Sequence, residues 1–369
     1  MSTIKPVDKP FLISTIVLVV VGLLIFISAS MGLWARGESG PDFFMVAFKQ
    51  IFFGVFLGLV AMTINSRIDY KFWKKNAFWI FFFAILINLL VFVPHIGLLS
   101  GGARRWIIIG NFTLQPSEIL KIGFIIYFAS WLSGVKNNLN LFRFGLLPFV
   151  VILGIVGLIL LNQPDTATFF IIFASGLAMY LISGAKWRDI FILFLISAIG
   201  LFILASMRPY LMDRLTTYIN PSSDPLHSGY QIQQSLIAIG SGGTFGRGFG
   251  QSVQKFNYLP EPIGDSIFAV AAEEFGFVGS VLLISLYIFF ALRGLKIAND
   301  SSDEFGRLVT VGIVILIISE SFINIGSMLG VLPLSGIPLF FVSHGGTALL
   351  FVLFSVGIVL NVSRHQIRN

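Results

Sequence analysis

The sequence of 369 residues contains no cysteine, only four histidines and few charged residues. Without cysteine the chain has no disulfide, no thiolate metal ligand and no cysteine nucleophile. The histidines, at positions 95, 227, 344 and 365, are too scattered to suggest an imidazole metal cluster. Asp, Glu, Lys and Arg together make up 11% of the chain, whereas soluble domains contain about 25%. This scarcity of charge argues against an ordinary soluble domain.

Apolar residues, by contrast, make up 56% of the chain and form long continuous runs. A membrane-spanning helix needs about 20 such residues, and these runs do not alternate with period two as barrel strands do. The sequence therefore predicts an all-α polytopic membrane protein with about ten transmembrane helices. The predicted spans are 11–33, 44–64, 77–93, 117–132, 144–161, 166–182, 190–207, 266–292, 308–329 and 339–362. Without linkers or internal repeats, residues 1–369 are interpreted as a single membrane domain.

The distribution of Lys and Arg predicts how the chain is oriented, because cytoplasmic loops are enriched in both. Fifteen of them lie on the side of the two termini and seven on the other side, with Lys49 and Lys121 inside spans. We therefore expect both termini in the cytoplasm and the first apolar run, which is too long for a signal peptide, to be retained. The net charge of +7 is then a matter of topology and does not indicate nucleic-acid binding.

One connection, residues 208–265 between the seventh and eighth predicted spans, is much longer than the others and lies on the outer side. Long loops in compact proteins are usually functional or disordered. This one contains a helix-like stretch at 230–239 and a glycine run at 240–250. The run could present backbone N–H groups to a phosphate, but it lacks the order of a P-loop, and a flexible turn is the simpler interpretation. We expect the loop to cap the membrane domain.

Acidic residues cluster around the start of the eighth predicted span. Asp265 suits two roles there, a helix N-cap or a carboxylate that accepts a proton from a sugar hydroxyl. Glu261 is a second carboxylate, held between two prolines. Glu273 lies eight residues further along, inside the span. Because acidic residues are costly within a span, Glu273 should face a cavity or a partner.

Basic and aromatic residues near other span ends could complement these acids. Lys121 follows Glu118 by three residues, the spacing of an ion pair on one helix face. Lys49 lies near the outer end of the second span and could point into the same cavity. Arg105 and Trp106 suit interfacial anchoring, and they equally suit binding of a diphosphate and stacking on a sugar.

Three other polar residues have structural interpretations. Asp165 follows a Gln-Pro turn and is expected to cap the next helix. Glu320 and Asn324, one helical turn apart in the ninth span, are interpreted as interior packing or gating residues.

Together these residues suggest chemistry that needs no nucleotide. An outer site lacks nucleotide sugars, so synthesis there requires a preactivated lipid-linked donor. Cationic groups would hold its diphosphate and one carboxylate would activate the acceptor hydroxyl. The composition alone equally permits a transporter.

Several runs, in order, resemble the SEDS family, which contains FtsW, RodA and SpoVE, over essentially the whole chain. These runs are GARRWI (102–107), LQPSEILK (114–121), QPDTAT (163–168), GYQIQQSLIAIGSGG (229–243), GFGQSVQKFNYLPEPIGDSIFAVAAEEFG (248–276) and NIGSMLGVLPLSGIPLFFVSHGGTAL (324–349). The YLPEP and QSVQK forms are more similar to the division member, FtsW, than to the elongation member, RodA.

The resemblance implies a peptidoglycan glycosyltransferase that polymerises lipid II at the outer face of the bacterial cytoplasmic membrane. It implies a class B penicillin-binding protein as partner, together with other membrane proteins of the division or elongation machinery. Asp265 matches the family's essential aspartate. It would act as general base on the 4-hydroxyl of the acceptor GlcNAc, which displaces undecaprenyl pyrophosphate from the donor.

The resemblance also implies roles for the residues around Asp265. The cations expected to neutralise the pyrophosphate are Arg105, Lys121, Lys49 and Arg247, and a divalent cation, Mg²⁺ or Mn²⁺, could assist. Trp106, Glu118 and Glu261 would line the cavity.

Two motifs depart from the family pattern. Ile263 and Gly264 replace the usual polar residues before the aspartate, and His344 replaces the tyrosine of the SYGG motif.

Two alternatives to the glycosyltransferase remain open on the sequence. The first is a lipid II flippase, whose path would be lined by the charged residues within spans, namely Lys49, Glu118, Lys121, Glu273 and Glu320. The second is a noncatalytic scaffold of the division machinery.

Overall fold

The computed structural model describes residues 6–33, 43–100, 103–110, 112–139, 141–207, 209–220, 224 and 228–366. Within these ranges the chain is predominantly helical, which confirms the predicted class. Six of the described helices are long and apolar enough to cross a membrane, and three shorter apolar helices accompany them. The predicted outer-loop residues Arg208 and His227 lie outside the described ranges.

In the first half of the chain, the described residues form eight α-helices and a π-helical segment. They are α1 (Lys9–Ser30), α2 (Phe43–Phe48), the π-helix (Lys49–Phe56), α3 (Leu57–Asn65), α4 (Tyr70–Lys75), α5 (Ala77–Leu89), α6 (Pro116–Val135), α7 (Leu146–Asn162) and α8 (Thr166–Ile182). The second half contains α9 (Trp187–Met207), α10 (Pro209–Ile219), α11 (Ser228–Ser241), α12 (Ile267–Asn299), α13 (Glu304–Met328) and α14 (Gly346–Ser363). Every predicted span overlaps one of these helices.

The long connection between α9 and α12 is largely structured. It contains α10 and α11, and the helix-like stretch predicted at 230–239 lies inside α11. After α11 the chain runs back along α12 through the glycine run. The connection is therefore packed onto the helical body, as expected.

A small antiparallel sheet between α5 and α6 was not predicted. Its strands are β1 (Gly97–Ser100), β2 (Ala103–Ile109) and β3 (Phe112–Leu114), in the order β1-β2-β3. Strands of three to seven residues give a weak periodic signal beside apolar runs of 20 residues. The sheet contributes to the candidate site, because β2 carries the predicted site residues Arg105 and Trp106.

Helix α13 lies at the centre of the molecule and packs against α6, α8, α12 and α14. Its side chains are buried along its whole length, including the polar Glu320 and Asn324. Each of these polar groups must find its partner inside the protein, because unpaired polar groups are costly away from water. Glu320 pairs with Lys121 and the side-chain amide of Asn324 donates two hydrogen bonds, as described below, whereas Asn324 Oδ1 has no hydrogen-bond partner among the described residues.

The prediction of a helix over 339–362 was wrong at its start, because α14 begins only at Gly346. The preceding residues form a buried turn in which Phe341 has a positive φ of 67°. Side chains satisfy the backbone of this turn, since Ser343 Oγ accepts from the Leu339 N–H (2.8 Å) and the Tyr287 hydroxyl donates to the Phe340 carbonyl. Hydropathy alone cannot distinguish such a buried turn from a helix.

Helix α12 is broken at Gly276, whose φ of 67° and ψ of −165° are not helical. The break leaves two carbonyls without helical partners, and the glycine run binds them. The N–H groups of Arg247 and Gly248 donate to the carbonyls of Glu273 and Glu274, each at 3.0 Å. In return, the Phe277 N–H donates to the Gly243 carbonyl at 2.9 Å. The glycine run is therefore bound to α12 through backbone hydrogen bonds and is not the flexible turn that the sequence suggested.

Gly246 has no room for a side chain, so we expect Gly246→Ala to destabilise the protein strongly. A Cβ there would lie 2.1 Å from the Glu274 carbonyl oxygen, and the φ of 82° is unfavourable for alanine. The loss should be on the order of 2 kcal/mol or more, measured as a lower thermal midpoint in detergent. Gly240→Ala is the matched control, because nothing lies within 4 Å of its Cβ position. Equal midpoints for the two variants would contradict the docked arrangement.

Candidate functional site

A cavity of about 700 Å³ lies where seven parts of the chain meet. These are the π-helix, the sheet, the start of α6, the α7–α8 turn, the segment before α12, the middle of α13, and the turn before α14 with the first residues of that helix. The charged residues that line it are Lys49, Arg105, Glu118, Asp165, Glu261, Asp265 and Glu320. Trp106 and His344 also contribute to its wall. Segments far apart in sequence therefore bring most of the predicted site residues together.

Asp265 lies just before α12 and lines the cavity. Ser266, not Asp265, occupies the N-cap position, so the carboxylate is not used to cap the helix. Burial, with a smaller contribution from the negative charge of Glu261, raises the pKa of Asp265 to about 6. The positive charges of Arg214 and Arg105 act in the opposite direction. The cavity therefore contains a carboxyl group that titrates close to neutral pH.

A buried ionic triad of Lys121, Glu118 and Glu320 lies beside the cavity, and its two glutamates line the wall. Lys121 Nζ lies 2.9 Å from Glu118 Oε1 and 2.7 Å from Glu320 Oε2. The predicted pair within α6 is thus confirmed, and a carboxylate from α13 completes it. Lys121 also lies over the ring of Phe340, 4.8 Å from its centroid. The triad ties α6, α13 and the turn before α14 together.

Arg105 and Trp106 enter the cavity from β2. The guanidinium of Arg105 donates to the carbonyls of Gln163 (3.2 Å for Nε) and Pro164, which fixes the sheet to the α7–α8 turn. Trp106 pairs in register with Leu98 on β1, and both line the cavity. The sheet thus places a cation and an indole at the cavity wall. The pattern of apolar residues did not predict the strands that position them.

Lys49 lies at the first position of the π-helix and lines the cavity. π-Helical turns widen the backbone and often occur at functional sites. The neighbouring N-terminus of α14, from His344 to Ala348, also lines the cavity and has no side-chain cap. A cation and the N-terminal end of a helix therefore border the same space, and the N–H groups of His344 and Gly345 are already bound to the Ile263 carbonyl and to Gln50.

Two predicted site residues lie elsewhere. Lys121 is covered by its two carboxylate partners and does not line the cavity. Arg247 lies on the glycine run, where its Nε is 3.5 Å from Glu273 Oε1. Their roles at a diphosphate stay predictions, since the structure places Lys121 behind the cavity wall and Arg247 outside it.

Glu273 and Glu274 form a second polar cluster with the glycine run. Glu273 accepts from Ser252 Oγ at 2.5 Å, and Glu274 pairs with the fully buried Lys255 at 2.8 Å. Lys255 also donates to Ser28 Oγ of α1 at 3.0 Å. This cluster fastens the long connection to α1 and α12. Two adjacent glutamates inside a predicted span indicate that buried partners exist. The sequence gives no comparable signal for Lys255, which is one of the seven cations on the predicted outer side.

Sequence analysis also missed two residues of the site. Asp165 caps α8 as predicted, with its Oδ1 3.4 Å from the Thr168 N–H, but it lines the cavity as well. Its Oδ2 is buried and has no hydrogen-bond partner among the described residues. Arg214 of α10 acts electrostatically on Asp265. Arg214 and Asp265 belong to different segments of the long connection, so only the tertiary structure reveals their interaction.

The charges that line the cavity do not balance. Five carboxylates, those of Glu118, Asp165, Glu261, Asp265 and Glu320, face two cations, Lys49 and Arg105. Lys121 compensates one of the acids from behind. Any anionic ligand of this cavity must therefore bring positive charge or protons with it, because like charges repel strongly at low dielectric.

Comparison with known proteins gives a consistent family assignment. A family model described as cell cycle protein (FtsW/RodA/SpoVE) matches residues 9–368. Stage V sporulation protein E of Bacillus subtilis strain 168 is 39% identical over 359 residues, covering 97% of each protein. A probable peptidoglycan glycosyltransferase FtsW of Geobacter sp. strain M18 is 36% identical over 366 residues, covering 99% of each.

Two solved structures share the fold. A chain from a peptidoglycan synthase complex studied for its coordination of polymerization and crosslinking superposes with a TM-score of 0.80, at 24% identity, covering 97% of this chain and 98% of that one. The rod shape determining protein RodA of Thermus thermophilus superposes with a TM-score of 0.72, at 24% identity, covering 98% of both chains.

The buried triad predicts a large difference between two lysines. We expect Lys121→Met to cost about 3–5 kcal/mol, because two buried carboxylates lose their shared counter-ion. Lys136 pairs with Glu304 at 2.7 Å but is 59% exposed. Lys136→Met should therefore cost at most about 1 kcal/mol. Chemical denaturation in detergent measures both, and similar losses would contradict a structural role for the triad.

Proposed function

The chain belongs to the FtsW/RodA/SpoVE family of cell cycle proteins, and from this premise we propose that it polymerises lipid II with Asp265 as general base. Membership and the names of the curated relatives assign the enzyme class, a peptidoglycan glycosyltransferase in the cytoplasmic membrane. One observation carries the assignment of Asp265: a carboxyl group with a pKa raised to about 6 lines the cavity of about 700 Å³, together with the cations Lys49 and Arg105.

The proposed step moves one proton and exchanges one glycosidic bond. The carboxylate of Asp265 takes the proton from the 4-hydroxyl of the acceptor GlcNAc, and that oxygen attacks the anomeric carbon of the donor. The bond from this carbon to the diphosphate oxygen breaks, and undecaprenyl pyrophosphate leaves with the electron pair. A carboxylate with a pKa near 6 is a stronger base than an ordinary aspartate and is still deprotonated at neutral pH.

Lys49 and Arg105 are the proposed contacts for the diphosphate, since both cations line the cavity. The positive end of the α14 dipole borders the same cavity and would favour a negatively charged group there. Trp106 would lie against a sugar ring.

A divalent cation is proposed as a companion of the diphosphate. Among the described residues no group of three or more His, Asp or Glu side chains is arranged to hold a metal ion. Mg²⁺, however, is usually bound by one or two carboxylates plus substrate phosphates and water. Glu261 lines the cavity and fits that pattern, and an ion held there would offset part of the excess of carboxylates. Bound there, the ion would supply charge neutralisation of the leaving group.

The proposal extends to topology and partners. We place both termini in the cytoplasm on the basis of the Lys and Arg distribution. A class B penicillin-binding protein is the proposed partner, in keeping with the synthase complex whose chain shares this fold. A division role is favoured because relatives named FtsW align over nearly the whole chain.

A flippase would need a continuous polar path, and the arrangement of charges favours chemistry instead. Five of the acids gather at one cavity. Glu273, which was a candidate for such a path, lies in the separate cluster bound by the glycine run.

Asp265→Asn should abolish glycan polymerisation from labelled lipid II by the purified protein, alone and with its cognate penicillin-binding protein. The amide keeps the size of the side chain and removes the base. Asp213→Asn, an exposed aspartate of α10, serves as control and should retain activity. Polymer from Asp265→Asn at the wild-type rate would eliminate the proposed base and leave a scaffold or transport role.

The pKa of Asp265 predicts an acid limb in the pH profile. Activity should fall below about pH 6, because the base becomes protonated there. The negative charge of Glu261 helps to hold this pKa up, so Glu261→Gln should move the limb to lower pH. Single-turnover rates between about pH 4.5 and 8 test both statements, and an unchanged limb in Glu261→Gln would contradict the electrostatic coupling.

A further inference from the structure

Three consecutive carbonyls at the candidate base are bound by donors from other parts of the chain. The His344 N–H donates to the Ile263 carbonyl at 2.7 Å, and Ser343 Oγ donates to the Gly264 carbonyl at 2.8 Å. The side-chain amide of Asn324 donates to the carbonyl of Asp265 itself at 2.8 Å. The backbone that carries the carboxylate is therefore fixed residue by residue.

Asn324 makes a second bond that closes this arrangement. Its amide also donates to the Ile337 carbonyl at 2.7 Å. The adjacent Gly336 faces the carboxylate, since a Cβ built there would lie 3.6 Å from Asp265 Oδ2. One amide group thus joins the main chain of Asp265 to the segment that its carboxylate faces. Because Asn324 is buried, water does not compete for these bonds.

Two further sets of contacts hold these donors in place. Asn324 lies one turn beyond Glu320 on α13, and Glu320 is held by the buried ionic triad. On the other side, Gln50 donates to the Ser343 carbonyl at 3.2 Å and accepts from the Gly345 N–H at 3.1 Å. The donors to residues 263–265 are therefore held in place themselves.

The residues before Asp265 cannot position it through their own side chains. Ile263 has no polar group and Gly264 has no side chain, so side-chain contacts of the usual kind are absent at these two positions. Positioning must come from the main chain, and the three external donors supply it. A misplacement of about 1 Å at a reacting group can cost a factor of about 100 in rate.

We propose that Asn324 is a positioning residue for Asp265, fixing the carboxylate through the Asp265 carbonyl. The inference rests on the proposed function, because it assumes that Asp265 is the base. It assigns Ser343 the same role at Gly264. Neither residue touches the reacting atoms.

The test is Asn324→Leu in the lipid II assay, with folded protein quantified by size exclusion. We expect kcat to fall about 10-fold to 100-fold, with KM changed less than about 3-fold. We also expect the acid limb to move below pH 6, because a carboxylate freed from its buried position returns toward its ordinary pKa. A loss of folded protein alone would lower the amplitude of the profile and leave its limb in place.

Asn361→Leu is the matched control. Asn361 is also a buried amide that joins a helix to a neighbouring segment, through bonds to Ser66 and Tyr70 at the other end of α14. Its loss should lower thermal stability and leave kcat per folded molecule and the acid limb unchanged. If Asn361→Leu shifts the limb as Asn324→Leu does, the effect is global and the positioning role is overturned.

Ser343 provides a second measurement that holds if Asn324→Leu fails to fold. Ser343→Ala should lower kcat, and Ser343→Thr, which keeps the hydroxyl, should restore most of it. Wild-type kcat and limb in both Asn324→Leu and Ser343→Ala, with Asp265→Asn inactive, would overturn this inference alone. Full activity of Asp265→Asn would instead overturn the proposed function on which it rests.

Discussion

The need to pair every buried charge inside a largely apolar body governs this structure. Lys121 is the clearest case, because its ammonium lies between Glu118 and Glu320 and joins two helices and a turn. Groups this far from water must be neutralised by the protein itself. The two fully buried lysines, Lys121 and Lys255, each join segments that lie far apart in the sequence. Glu118 and Glu320 of this triad form part of the cavity wall, and the other carboxylates of the wall make the cavity acidic.

The backbone obeys the same rule where regular structure stops. Helix α12 is interrupted at Gly276, and the glycine run binds the carbonyls that the interruption releases. The turn before α14 depends on Ser343 and Gln50 in the same way. Irregular backbone at membrane depth is tolerated only where protein groups satisfy it. In this molecule one of those irregular segments, the turn before α14, faces the candidate base.

Sequence reasoning predicted the helical class, the pair between Glu118 and Lys121, and the cap at Asp165 from local spacing alone. It also placed Lys49 and Asp265 at span ends, where both line the cavity. It could not predict contacts that require distant segments to meet, such as Glu320 with Lys121. The small sheet and the buried turn escaped because hydropathy records apolar character and not backbone direction.

The break in α12 also adjusts its length to the bilayer. A continuous helix of 33 residues would measure about 50 Å, whereas the hydrocarbon core is about 30 Å thick. The 23 residues after Gly276 would measure about 35 Å, which suits a tilted span. The nine residues before the break form a short, largely buried segment that begins two residues after Asp265. The single glycine thus divides α12 into a segment of span length and a shorter segment next to the carboxylate.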